Sequence, residues 1–148
     1  MRALKYGHVT SLARPLSQLL AESEIARRIL TEDVAVVPIP ASLRRARTRG
    51  FDQAVLLAEA FPAVIPDALT RTRETPPQAS LDRARRLTNV QGAFRAHPCV
   101  AGRSVLLIDD VLTTGSTFRA AAAALKRAGA ERVDGLALTV ADRDLPGA

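Results

Sequence analysis

The sequence predicts an α/β domain with a mostly parallel central sheet and helices on both faces. Three observations predict it. Apolar runs rich in Val, Ile and Leu occur at 34–40 (VAVVPIP), 104–110 (SVLLIDD) and 132–140 (RVDGLALTV). The first two are near-continuous, as strands buried on both faces should be. Helical patterns fill the spaces between them, and strands alternating with helices imply parallel pairing.

The elements follow in order. Residues 11–30 place Leu12, Leu16, Leu19, Leu20 and Ile25 near helical spacing, with Pro15 confined to a first turn. A strand follows from Val34. Residues 52–61 (DQAVLLAEAF) read as a second helix, stopped at Pro62. Residues 67–95 break the rhythm with two prolines, many charges and weak periodicity. A loop that long inside a compact domain is usually functional or mobile. The strand at 104–110 leads into the clearest helix, 117–130, which has five consecutive alanines, Lys126 and Arg127 in its last turn and Gly129 as terminator. The strand at 132–140 closes the pattern.

Length and composition bound the rest. A chain of 148 residues suits a single domain, 1–148, able to bury roughly 68–70% of its unfolded surface. Hydrophobic content of 47% with 24% charged residues excludes a disordered chain. The first twenty residues hold no long apolar stretch, so neither a signal peptide nor a membrane span is expected, and the expected location is the cytoplasm. Cys99 is the only cysteine and His8 and His97 the only histidines, which leaves no zinc-ligand spacing. Cys99 is expected as a buried or half-buried filler.

The net charge of +6 is uneven. Residues 41–103 hold eleven basic and five acidic side chains, and the flanking segments are nearly balanced. A localised excess points to an anionic partner, either nucleic acid or a phosphorylated small molecule. Only five aromatic residues (Tyr6, Phe51, Phe61, Phe94 and Phe118) are present, which disfavours a base-stacking platform. Phe61 and Phe118 are expected on core faces of helices.

The stretch VLLIDDVLTTGST, Val105–Thr117, carries the chemistry. Asp109 and Asp110 end an apolar strand, and ligands of open parallel sheets sit beyond the carboxyl ends of the strands. Thr113, Thr114, Gly115, Ser116 and Thr117 then enter a helix whose first amides and dipole favour an anion. Hydroxyls add donors, and Gly115 lets backbone approach a ligand closely. Two carboxylates suit paired hydroxyls or a hard divalent cation. A ribose 5-phosphate needs all three features, with Mg2+ nearby. Neither G-x-x-x-x-G-K-[ST] nor G-x-G-x-x-G occurs.

This stretch resembles the phosphoribosyl pyrophosphate (PRPP) signature of type I phosphoribosyltransferases. LKYG (4–7), VPIPASLRRARTRGFDQA (37–54), TPPQASLDRARRLTNVQGAF (75–94) and AGRSVLLIDDVLTTGST (101–117) are together similar to the ComF family in order and spacing. The resemblance implies a type I phosphoribosyltransferase fold with a mobile loop or hairpin insertion. It implies PRPP in the site, Mg2+ at Asp109 and Asp110 directly or through water or ribose hydroxyls, and the 5-phosphate on Thr113–Thr117. Pyrophosphate falls to the loop holding Ser42, Leu43, Arg44, Arg45 and Arg49, where arginine forks suit phosphate oxygens. Arg73, Gln78, Arg86 and Asn89 match the mobile loop. Asp109, Asp110 and Arg73 are the catalytic candidates, for displacement at the anomeric carbon.

The acceptor, a base or an amine, is not identifiable from the sequence. ComF proteins are associated with DNA uptake in competent bacteria, so the resemblance also implies single-stranded DNA or a helicase-like partner. A PRPP-binding module that performs no transfer is the alternative. Relatives of the fold are frequently dimers, and no apolar stripe in the sequence can be assigned to an interface. Two departures stand out. Asp52 occupies a position where the family commonly has Asn, and the family's usual N-terminal four-cysteine zinc module is missing. The chain is therefore read as a short form, or as one whose start lies upstream of Met1.

Overall fold

The computed structural model of the chain describes residues 12–30, 33–41, 50–72 and 92–141. Its centre is a three-stranded parallel sheet in the order β1-β4-β5, formed by β1 (Val34–Pro38), β4 (Ser104–Leu112) and β5 (Arg132–Val140). Val36 also makes a parallel bridge to Val64 on the far side of β1. The middle strand β4 runs two residues beyond the expected 104–110.

Side chains alternate across a strand, and the core divides accordingly. Val37, Val105 and Leu107 pack on one face with Phe94, Ala121, Ala124 and Leu125. Val34, Val36, Leu106 and Ile108 pack on the other with Leu20, Ala26, Leu57 and Phe61. Both faces are therefore covered, which is why the strands read as unbroken apolar runs.

The expected single helix over 11–30 is two, α1 (Ala13–Ala21) and α2 (Glu24–Ile29). Ser23 makes the break. Its extended backbone leaves the helix, its hydroxyl donates to Leu20 O at 2.7 Å, and the same oxygen accepts from Ala26 N at 3.2 Å. One side chain thus closes α1 and caps α2. The buried stripe also differs from the leucine spacing. Ala13, Ser17 and Leu20 point inward, whereas Leu12, Leu19 and Ile25 are exposed at 44%, 65% and 61%. Small residues line the stripe because α1 lies close to α3 (Gln53–Ala58). Ser17 Oγ donates to Leu57 O at 2.8 Å and accepts from Ala60 N at 2.9 Å, satisfying the end of α3.

Helix α3 is shorter than the expected 52–61, and Phe61 lies beyond it but is buried, as expected of a core residue. Helix α4 (Ser116–Arg127) ends as its sequence indicates. Gly129 has φ +94°, its N–H donates to Lys126 O at 3.1 Å, and Ala130 N donates to Leu125 O at 3.0 Å. This is a Schellman closure.

Within the irregular segment, β2 (Leu69–Arg71) and β3 (Phe94–Ala96) form an antiparallel pair. Thr72 N donates to Ala93 O at 2.9 Å at its open end. Cys99 is exposed, contrary to expectation. The short turn Pro98–Val100 sends Val100 fully inside and leaves its neighbour outside. Among the described residues, no helix is long and apolar enough to cross a membrane.

Candidate functional site

The carboxyl end of β4 carries Asp109 and Asp110 beyond the last fully buried residue, Ile108. Ile39 N donates to Ile108 O at 2.8 Å, so the chain leaving β1 lies alongside the acids' strand. Asp109 Oδ1 accepts from Asp110 N at 2.8 Å. Burial first, and then the neighbouring Asp110 charge, push the Asp109 carboxyl from 3.8 up to about 8. Asp52 adds to the repulsion. Such displacement, in a group at a strand end, marks a candidate functional position. Thr139 Oγ1, from β5, donates to Asp110 O at 3.2 Å and fixes the strand at this point.

After Leu112 the chain turns through Thr113 and Thr114 to Gly115, whose φ of +69° lies in the left-handed region that glycine occupies without strain. Gly115 occupies the N-cap of α4, and no side chain from that position caps the helix. Thr114 Oγ1 donates to Ser116 Oγ at 3.0 Å, and Ser116 N approaches Thr114 Oγ1 at 3.4 Å. Thr113 is exposed, Thr114 and Thr117 are half-buried, and Ser116 is buried. Strand end, acids, hydroxyl-rich turn and helix N-terminus are thus contiguous, and seven of the expected site residues lie along one edge of the sheet.

Three further side chains, none assigned a role by sequence reasoning, shape this edge. Asp52 caps α3 by accepting from Ala54 N at 3.1 Å through Oδ1, and its Oδ2 accepts from Ala41 N at 2.7 Å. One carboxylate therefore joins the chain leaving β1 to the start of α3. Arg71, on β2, donates from Nε to Pro40 O at 3.2 Å, and its guanidinium lies 4.6 Å from the Phe94 ring centroid. Arg119, in α4, donates from Nη2 to Thr114 O at 2.8 Å. Asp52 left a trace in sequence, as a residue that departs from its family's pattern. The other two left none, since their partners are carbonyl oxygens and rings far away or unremarkable in sequence.

The pyrophosphate candidates Ser42, Leu43, Arg44, Arg45 and Arg49 lie outside the described residues, as do Arg73, Gln78, Arg86 and Asn89 of the mobile-loop prediction. Among the described residues no cluster of three or more His, Cys, Asp or Glu side chains could hold a metal. The described residues therefore build no protein cage for a metal. Two carboxylates do fit Mg2+, which keeps most of its waters and takes the remaining ligands from substrate phosphates. A cavity of about 520 Å³ opens elsewhere, lined by Arg14, Ser17, Gln18, Ala21, Glu22, Glu59 and Ala60. None of these residues belongs to the strand-end site.

Comparison with known proteins gives the family and the fold. Residues 19–145 match the phosphoribosyl transferase domain family. The chain belongs to that family. This phosphoribosyl transferase domain is 37% identical over 138 residues to the DNA utilization protein YhgH of Escherichia coli (strain K12), covering 88% of the chain and 61% of that protein. It is 33% identical over 138 residues to an adenine phosphoribosyltransferase of Clavibacter michiganensis subsp. michiganensis, covering 92% of the chain and 77% of that enzyme. The chain thus spans about three fifths of the length of the DNA utilization proteins it resembles, and the ComF-like character expected from its motifs stands.

Among solved structures, it superposes on an allosteric regulatory enzyme of purine biosynthesis with a TM-score of 0.56 at 26% identity, covering 88% of the chain and 26% of that enzyme. Glutamine PRPP amidotransferase from B. subtilis gives 0.55 at 25% identity, with the same two coverages. The fold is that of type I phosphoribosyltransferases, as the sequence predicts.

Proposed function

We propose that this domain binds PRPP at the carboxyl edge of its sheet and transfers the phosphoribosyl group to a base or amine. The observation that carries the reading is the continuity of Asp109–Asp110 with the Thr113–Thr117 turn into α4, in a chain of this family. The turn takes the 5-phosphate, with hydroxyls and helix amides as donors. The ribose 2- and 3-hydroxyls donate to the two carboxylates. The loop holding Ser42, Leu43, Arg44, Arg45 and Arg49 takes the pyrophosphate.

In the transfer, the bond from C1 of ribose to the pyrophosphate oxygen breaks and its electron pair leaves with pyrophosphate. The acceptor's lone pair forms the new bond to C1, and the acceptor's proton passes to solvent. Positive charge that builds on the ring is stabilised by Asp109 and Asp110, and negative charge on the leaving group by the arginines, Arg73 included. Preorganised charge of this kind is often the largest catalytic contribution. Mg2+ held at the carboxylates, directly or through water, would neutralise the departing pyrophosphate.

Titration calorimetry with PRPP and Mg2+ tests the site. Binding is expected in the wild type and lost in the Asp109→Asn, Asp110→Asn double variant, and unchanged affinity in that variant would refute the placement. Pyrophosphate release stimulated by one member of an acceptor panel then tests transfer.

A second reading is a PRPP-binding module that works in DNA handling, on single-stranded DNA or with a helicase-like partner, and performs no transfer. Its support is the similarity to DNA utilization proteins. Against direct contact with bases, Phe61 and Phe94 are buried and Phe118 is packed against the core. Binding of PRPP without turnover across the panel would favour this second reading.

A further inference from the structure

Arg119 lies at the fourth position of α4, where the positive end of the helix dipole disfavours a cation. Among the described residues no carboxylate pairs with it. It is exposed and free to extend into solvent, yet its guanidinium folds back over the phosphate turn. Nη2 donates to Thr114 O at 2.8 Å, and Nη1 lies 3.1 Å from the point where a Cβ on Gly115 would sit. Glycine at 115 is required by its positive φ, and the guanidinium lies in close contact with the space beside it.

Holding a long side chain in that position costs rotamer entropy. A single hydrogen bond to a carbonyl uses one of five guanidinium N–H groups. The remaining donors form a planar edge beside Gly115, the geometry that grips phosphate oxygens in pairs.

We propose that Arg119 is a binding residue for the dianionic phosphate of the sugar, held over the turn by Thr114 O and completing a loop that otherwise offers only hydroxyls and amides. The proposal rests on the assignment of Thr113–Thr117 to the 5-phosphate. It adds a fixed cation to that subsite, so that the turn selects a phosphate monoester over an uncharged sugar.

The test uses ribose 5-phosphate and Mg2+-pyrophosphate as separate probes of the intact chain. Arg119→Gln is expected to weaken ribose 5-phosphate about tenfold, the worth of one charge-assisted hydrogen bond. Pyrophosphate affinity should stay within about twofold. Arg119→Lys, which keeps the charge but loses the fork, should fall between the two. In 31P NMR titrations, bound ribose 5-phosphate should remain dianionic to lower pH in the wild type than in Arg119→Gln, a signature that simple bracing of Thr114 would not give. Equal losses for both probes, a loss under twofold for ribose 5-phosphate, or identical 31P titrations would overturn the proposal. Failure of the wild type itself to bind ribose 5-phosphate would instead remove the phosphate-turn assignment on which it stands.

Discussion

The ring of Phe118 lies against the backbone of Gly135, so close that a Cβ there would come within 2.6 Å of Cδ1. Phe118 belongs to the first turn of α4 and Gly135 to β5, opposite Leu107 of the acids' strand. The pair therefore sets the height of the helix N-terminus above the sheet.

Gly135→Ala is accordingly expected to destabilise the domain by about 1–3 kcal/mol, the range for forcing an extra methyl into a packed site. It should also weaken PRPP binding, since α4 has to tilt at the end to which the 5-phosphate is assigned in the proposed function. Adding Phe118→Leu should recover part of both losses, because contacting residues do not add. Denaturant melts of the three variants decide it, and strictly additive losses would show that the two residues act independently.

The raised Asp109 carboxyl gives a pH dependence with a definite sign. Between its ordinary 3.8 and its folded value of about 8, the folded protein holds a proton that the unfolded chain has released. Unfolding in this window therefore releases a proton, and rising pH favours it. Stability should decline from about pH 4 to about pH 8, with the full cost of the ionised group expressed above that. Asp109→Asn should flatten the decline and leave the empty domain more stable than the wild type at the alkaline end. Thermal melts across this range check it, and parallel curves for the two proteins would refute it. Ribose hydroxyls donate best to the ionised carboxylate, so PRPP binding near neutral pH should release a proton, visible as calorimetric heats that differ between buffers.

Asp52 satisfies two backbone donors from separate segments, Ala41 and Ala54. Asp52→Ala should cost about 1–2 kcal/mol through the lost cap and the stranded Ala41 amide. Asp52→Asn keeps only one acceptor oxygen and should cost about half as much. Both remove a charge that opposes ionisation of Asp109, so both should move the stability decline to lower pH. An unmoved pH profile would mean that Asp52 acts on the backbone alone.

The strands were legible because both faces of the sheet are covered, which leaves Val34–Val37 and Val105–Ile108 almost free of polar residues. The end of α4 was legible too, since Lys126, Arg127 and Gly129 are local signals for a local event. Asp109, Asp110 and the threonine turn stood out as a candidate site because they are contiguous in the chain and remain contiguous along the sheet edge. The break at Ser23 was not, because a serine between two acidic residues reads as equally helical or capping until Leu20 and Ala26 are seen on either side of its hydroxyl. Leucine spacing misled on α1, where close approach to α3 selects Ala13 and Ser17 for the inner stripe. Arg71 and Arg119 escaped for a different reason. Each finds a backbone carbonyl, and every residue carries one of those.

Strand β4 has hydrogen-bonded neighbours on both sides along most of its length, whereas the threonine turn that continues it has none of that support. Amides of β4 should thus exchange only when the whole domain opens, while those of Thr113 and Thr114 exchange by local fluctuation. The acids are fastened to the last part of the molecule to come apart, and the threonine turn to one of the first. Sequence drift in that turn can therefore retune what the edge holds without touching the foundation beneath it.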